Sequence, residues 1–181
     1  MKKYGLIIFL ACLGSTAFAE RYMTRTGKVT FFSSTPVENI EAINNEMACA
    51  VDGTSGDLVF QVPVKSFKFE KALMQEHFNE NYMESDKYPK AEFKGKIANM
   101  SAVNLAKDGT YNVTGTGKMT IHGVTRDVSA PGTITVQGGN VTAVSKFKVR
   151  PADYGIKIPG VVAGKIAQEI EVSINSMMAK K

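Results

Sequence analysis

Apolar and polar residues alternate with a period of two along most of the chain, in short runs rich in Val, Ile, Phe and Thr. This alternation is typical of strands that bury one face. Residues that favour turns, glycine above all, separate the runs. Eight strands are predicted, at residues 23–33, 42–51, 57–66, 91–100, 110–121, 125–136, 140–149 and 166–175.

The connections between several of these strands are short and have hairpin chemistry. They read "DGTSGD" at 52–57, "KDG" at 107–109, "HG" at 122–123 and "QGGN" at 137–140. Such loops make sequential strands pair as antiparallel neighbours. Eight strands joined in this way lose their unpaired edges by closing, so the sequence predicts an all-β fold, an eight-stranded antiparallel barrel. A two-sheet sandwich is the alternative.

Two segments depart from the strand pattern. Residues 71–82 place Leu73, Phe78 and Tyr82 on one face of a short amphipathic helix between the third and fourth predicted strands. This helix cannot join the sheet, so we expect its apolar face to cover an open end of the barrel. Residues 150–165 form a long loop rich in Gly and Pro, whose apolar content predicts packing on the barrel mouth.

The apolar residues of the strands predict a cavity. The alternation of Phe60 and Val62 continues on the opposite parity at Phe67, which predicts a bulge near residues 65–66. Each apolar residue taken alone is better explained as part of a packed core. Together with an amphipathic helix over the barrel end, they favour a cavity for an apolar ligand. The predicted lining consists of Phe60, Val62, Phe67, Phe78, Tyr82, Phe93, Ile121, Phe147 and Tyr154.

The N-terminus has the pattern of a secretory signal peptide. A basic start precedes an apolar run at 4–13 and a small-x-small triplet at 17–19. We therefore predict a signal peptide at 1–19 and one barrel domain at 20–181, in a periplasmic or secreted protein. Cys12 in "FLAC" weakly suggests lipidation instead. No other stretch is apolar enough to be a transmembrane segment.

Composition narrows the functional classes. The formal charge of +5 at pH 7 is spread along the chain without a basic run, so no nucleic-acid partner is expected. The two histidines, His77 and His122, lie on different elements without metal-ligand spacing. Cys49 is predicted to be a buried thiol, and no nucleophile elbow is present. We expect no metal, no cofactor and no enzyme activity.

The stretch "IHGVTRD" contains the one local candidate for chemistry. His122 and Gly123 fit a tight turn between two strands, with Gly123 supplying conformational freedom. Alternatively, His122 or Arg126, together with Arg150, contacts the head group of a ligand at the barrel end. A hydrolase that uses His122 is the least favoured hypothesis, because partners for catalysis are missing.

Three stretches resemble a known family. "DKYPKAEFKGKI" (86–97), "YNVTGTGKMTIHGVTRDV" (111–128) and "FKVRPADYGIKIP" (147–159), in this order behind an export signal, are similar to the YceI-like family of lipocalin-like periplasmic proteins. The resemblance implies a lipocalin-like barrel around a long apolar tunnel for polyisoprenoid or similar chains, without catalysis.

The chain also departs from the family pattern. Many relatives have one residue between the arginine and the aspartate that precedes an aromatic residue, whereas two residues separate Arg150 from Asp153 here. The expected ligand is therefore an amphiphilic lipid, either a polyisoprenoid or a fatty acid or amide. A homodimer is left open. The alternative function is a stress-response adaptor whose barrel is filled by its own side chains.

Overall fold

The computed structural model describes residues 20–181 and consists mainly of strands. The predicted signal peptide, including Cys12, lies outside the described residues. The nine strands of the described part are β1 Arg21–Ser34, β2 Asn39–Asp52, β3 Asp57–Pro63, β4 Lys68–Phe69, β5 Lys90–Ile97, β6 Gly109–Ile121, β7 Val124–Gln137, β8 Asn140–Val149 and β9 Ile170–Lys180. Helix α1, Ala72–His77, continues into a π-helical turn, Phe78–Tyr82.

The strands form one closed antiparallel sheet. Their order is β1-β9-β8-β7-β6-β5-β3-β2. Pairing of β2 with β1 closes the barrel. The two-residue strand β4 adds to the edge of β2 beside this eight-stranded ring. The predicted eight-stranded barrel with a short helix after its third strand is confirmed, and the sandwich alternative is wrong. No helix within residues 20–181 is long and apolar enough to cross a membrane.

The third strand is shorter than predicted, and the last strand begins later along the chain than predicted. The third ends at Pro63 because a 3₁₀ turn, Val64–Ser66, interrupts it before β4. The predicted bulge is this turn, in which buried Val64 donates its backbone N–H to Pro89 O at 2.9 Å. The last strand begins at Ile170, since the predicted loop continues beyond residue 165.

The two ends of the barrel differ. At the end with the β2–β3 and β7–β8 hairpins, large apolar side chains pack tightly, and Tyr22, Val136, Val141 and Met178 are each at most 3% exposed. We call this the closed end. The other end carries α1, the β6–β7 hairpin and the long loop before β9. This open end is where the interior is accessible.

Candidate functional site

An apolar cavity of about 590 Å³ occupies the barrel. It extends from Val51 and Ile134 near the closed end to α1 and Ile158 at the open end. Its volume lies within the range of about 300–1,000 Å³ that is usual for small-molecule sites. Apart from the residues at the mouth, the polar side chains in the lining are the hydroxyl groups of Ser33, Tyr82, Thr133 and Ser145 and the carboxylate of Glu92, which is paired with Lys90 and Lys94. The interior therefore favours hydrocarbon over polar ligands.

Phenylalanines form one side of the cavity. Phe31 of β1 contacts Phe67, Phe69 and Phe78, with ring centroids 5.4 to 5.5 Å apart. Phe78 lies in the π-helical turn and also contacts Phe69 at 5.0 Å. Offset and edge-on ring packing of this kind stabilises the cluster beyond its burial alone. The helical segment is thereby attached to the barrel through its apolar face.

Small residues form the opposite side, on β6, β7 and β8. Gly115, Ala130, Gly132, Ala143 and Ser145 all line the cavity there. A Cβ added at Gly115 would make ordinary van der Waals contacts, 3.9 Å from Ala130 O and from Leu58 Cδ2, so it would fit without a clash. The small residues thus leave part of the barrel interior unfilled.

The mouth of the cavity carries charged side chains. Glu38, Lys71 and Lys165 line it at the open end, together with the imidazole of His77. Lys71 Nζ lies 3.6 Å from Glu38 Oε1, and the Lys71 side chain is 63% exposed. The site thus has an apolar interior and a polar, solvated rim, which matches the two parts of an amphiphile.

Most residues predicted to line a cavity do so. Tyr154 is the exception: it is buried in the 3₁₀ turn Pro151–Tyr154 and lies outside the apolar cavity. Burial raises the pKa of its phenol. The other predicted residues face the cavity, and their role in binding stays a prediction: Phe60, Val62, Phe67, Phe78, Tyr82, Phe93, Ile121 and Phe147.

The prediction omitted several residues of the wall. Phe31 follows the same alternation as Val29 and Ser33, which all line the cavity, so periodicity in β1 was the available signal. The small residues opposite gave no such signal, because the absence of a side chain marks a cavity only when the facing strands are known. Further apolar lining residues come from later strands, namely Val113, Met119, Val128, Val172 and Ile174.

The predicted head-group residues do not line the cavity. His122 has a φ of +51° and Gly123 a φ of +74°, as a two-residue type I′ hairpin requires. The His122 side chain is 12% exposed, with Nε2 2.7 Å from Glu84 Oε2 and Nδ1 3.3 Å from Tyr154 O. Its ring also packs on Tyr88, with centroids 4.6 Å apart. His122 therefore connects the β6–β7 hairpin to Glu84, to Tyr88 and to the 3₁₀ turn Pro151–Tyr154.

The two arginines are likewise bonded to protein groups. Arg126 Nε donates to Asp153 O at 2.9 Å. Arg150 donates from Nε and Nη2 to Glu169 Oε1, at 3.0 and 2.8 Å. Hydrogen bonds from Arg150 are the main reason that the pKa of the Glu169 carboxyl is lowered. Both arginines hold the loop between β8 and β9.

Cys49, the one cysteine within residues 20–181, is buried. Cys49 is 2% exposed, its Sγ lies 3.3 Å from Met178 Sδ, and burial raises its pKa to about 12. A thiol with so high a pKa is not a nucleophile at neutral pH. Within residues 20–181, no group of three His, Cys, Asp or Glu side chains is placed to hold a metal ion.

Comparison with known proteins identifies a family that matches most of the chain. A family model described as "YceI-like domain" matches residues 16–178. A search of curated protein sequences finds no match.

Solved structures resemble the barrel over most of its length. A polyisoprenoid binding domain from Saccharophagus degradans, implicated in plant cell wall breakdown, is 13% identical, with 91% of this chain and 100% of that chain covered and a TM-score of 0.77. Burkholderia cenocepacia BcnA is 17% identical, with 84% and 96% covered and a TM-score of 0.69. The Campylobacter jejuni YCEI protein is 16% identical, with 100% and 99% covered and a TM-score of 0.60. At these identities the likeness establishes the fold alone.

Proposed function

The chain belongs to the YceI-like domain family, and we propose that it binds one amphiphilic lipid, of the polyisoprenoid type, with the tail inside the barrel. The observation that carries this proposal is the continuous apolar cavity of about 590 Å³, open at one end. The polyisoprenoid binding domain with the same fold supports the ligand class. Burial of the tail supplies the driving force, about 25 cal/mol for each Å² of apolar surface.

The cavity is large enough for an aliphatic tail. Its volume of about 590 Å³ lies within the range of about 300–1,000 Å³ that is usual for sites that bury most of a small ligand. The phenylalanine wall on one side and the small residues on the other leave a passage suited to a branched, flexible chain. A longer tail would extend through the mouth.

The rim suggests where the head group lies. Lys71, Glu38, His77 and Lys165 surround the mouth and offer charged and hydrogen-bonding contacts. The predicted head-group role of His122, Arg126 and Arg150 has weaker support, because all three already bond to protein atoms. We propose that they fix the open end and that the rim residues meet the head.

We propose binding without catalysis. His122 contacts Glu84 and a backbone carbonyl oxygen, and no hydroxyl or thiol nucleophile bonds to it among the described residues. The adaptor hypothesis requires a barrel filled by its own side chains, which the cavity opposes.

We also propose that the protein is exported to the periplasm or beyond. The pattern of residues 1–19 and the periplasmic location that the family resemblance implies support export. N-terminal sequencing of the protein recovered from a periplasmic extract should find Glu20 as the first residue. A first residue of Met1 would overturn this part of the proposal.

Ligand binding is tested with the full chain purified after expression in its exported form. Native mass spectrometry identifies any lipid that copurifies, and delipidated protein is then offered labelled geranylgeraniol or labelled palmitate from micelles. Preferential uptake of geranylgeraniol would support the isoprenoid class. Preferential uptake of palmitate would show that the ligand class is fatty acids instead. A protein that copurifies with no lipid and takes up neither probe would overturn the proposal of lipid binding.

A further inference from the structure

The loop at residues 156–166, which we call the rim loop, forms one wall of the cavity mouth. Ile156, Ile158 and Ile166 line the cavity from this loop. Its tip is the 3₁₀ turn Gly160–Val162, in which Val161 is 93% exposed. The inner face of the loop therefore borders the cavity while its tip projects an aliphatic side chain into solvent.

The charge of the rim loop is entirely positive. Lys157 and Lys165 flank its tip, both exposed, and the chain has no acidic residue between Asp153 and Glu169. Within the described part of the chain, neither lysine has a carboxylate within 4.0 Å. The uncharged stretch 158–164, which contains the tip, thus lies between two unpaired cations.

Other exposed apolar residues lie at the same end. Leu73 of α1 also lines the cavity and is 60% exposed, and Val37, next in sequence to the mouth residue Glu38, is 67% exposed. Met177 of β9 is comparably exposed at 66% but lies toward the closed end. Most of the strongly exposed apolar side chains therefore surround the opening through which a ligand must pass.

We propose that the open end docks on an anionic phospholipid bilayer, with the tip of the rim loop inserted at the interface. The choice of a membrane as the partner rests on the proposed function, because a membrane is the source of an amphiphile that enters this mouth. Val161 enters the acyl boundary, while Lys157 and Lys165 remain at the level of the phosphates, where their charges are complementary. Long lysine side chains adapt to such a boundary readily.

Flotation with vesicles tests the proposal. The full exported chain is mixed with vesicles of phosphatidylethanolamine and phosphatidylglycerol, or of phosphatidylcholine alone. Wild type should float with the anionic vesicles at low salt. Val161→Asp should weaken partition by roughly fivefold or more, and Lys157→Gln and Lys165→Gln by roughly fivefold each. Met177→Asp, the same kind of change at another strongly exposed apolar residue toward the closed end, should leave flotation unchanged.

Three outcomes would overturn the proposal. They are failure of wild type to float, equal flotation of Val161→Asp, and a Val161-dependent dimer in light scattering, which would make this end a surface for self-association. Delivery of lipid from detergent micelles separates docking from cavity binding. If micelle-delivered geranylgeraniol binds but vesicles do not, docking fails alone; if vesicles bind through Val161 but no lipid enters, the proposed function fails alone.

Discussion

His122 Nε2 lies 2.7 Å from Glu84 Oε2, and both residues have a positive φ, +51° and +43°. Glu84 lies two residues after the π-helical turn Phe78–Tyr82 at the open end, whereas His122 is in the β6–β7 hairpin. The other ring nitrogen, Nδ1, lies 3.3 Å from Tyr154 O in the loop before β9. One imidazole therefore joins three segments that are distant in sequence and adjacent at the barrel mouth.

We predict that His122→Asn lowers the free energy of unfolding by about 1–2 kcal/mol, since two hydrogen-bonding contacts are lost. Asparagine tolerates the left-handed backbone conformation, so the hairpin itself is retained. Urea denaturation measures the effect. His77→Asn, at an exposed histidine of α1, is the control and should change the midpoint little. An unchanged midpoint for His122→Asn would show that the His122 contacts do not stabilise the fold.

We predict that Gly115→Leu blocks the cavity. A Cβ at Gly115 meets no atom closer than 3.9 Å, so the added side chain should extend into the space that the ligand tail occupies. Lipid uptake should fall by roughly tenfold or more, because several ligand carbons lose burial worth about 0.8 kcal/mol each. Thr116→Leu, on the exposed face of the same strand, should bind like wild type. Equal uptake by both variants would place the ligand elsewhere.

We predict that Cys49 in the folded protein resists alkylation. Burial raises its pKa to about 12, so almost no thiolate is present at about pH 8. Iodoacetamide followed by mass spectrometry should show an unmodified chain, and the same reagent in concentrated urea should modify Cys49 fully. Labelling of the native protein at the rate of a free cysteine would contradict the buried position of this side chain.

We predict that Glu92 contributes to the free energy of unfolding near neutral pH and that acid removes this contribution. A hydrogen bond from Lys90, supported by Lys94 and Gln61, lowers its pKa below 4.5. A carboxyl group with a lower pKa in the folded state stabilises the protein above its unfolded pKa, and this contribution is lost as pH falls through the folded pKa.

The measurement is the free energy of unfolding of wild type and Glu92→Gln from about pH 6 to about pH 3. The variant should lose less stability over this range, because glutamine does not titrate. Glu80→Gln, at an exposed residue without an ion pair within residues 20–181, should follow wild type. Parallel curves for Glu92→Gln and wild type would exclude a contribution from this cluster.

Much of the fold follows from local patterns. The prediction for residues 140–149 coincides with β8, and the β6–β7 turn lies at His122 and Gly123 as expected. Alternation and turn chemistry act over a few neighbouring residues, so a single sequence carries them. The prediction was wrong at residues 64–66, where the chain leaves the extended conformation for a 3₁₀ turn that ends β3 early.

The sequence by itself determined the strands, their antiparallel connection and the apolar character of the inward faces. Only the tertiary structure decided which inward residues face each other and which face empty space. The cavity is lined jointly by Phe31 of β1, Phe78 of the π-helical turn and Gly115 of β6, and His122 contacts Glu84, 38 residues away in sequence. Such relationships arise from barrel closure, which brings distant strands together, and no periodicity within one strand encodes them.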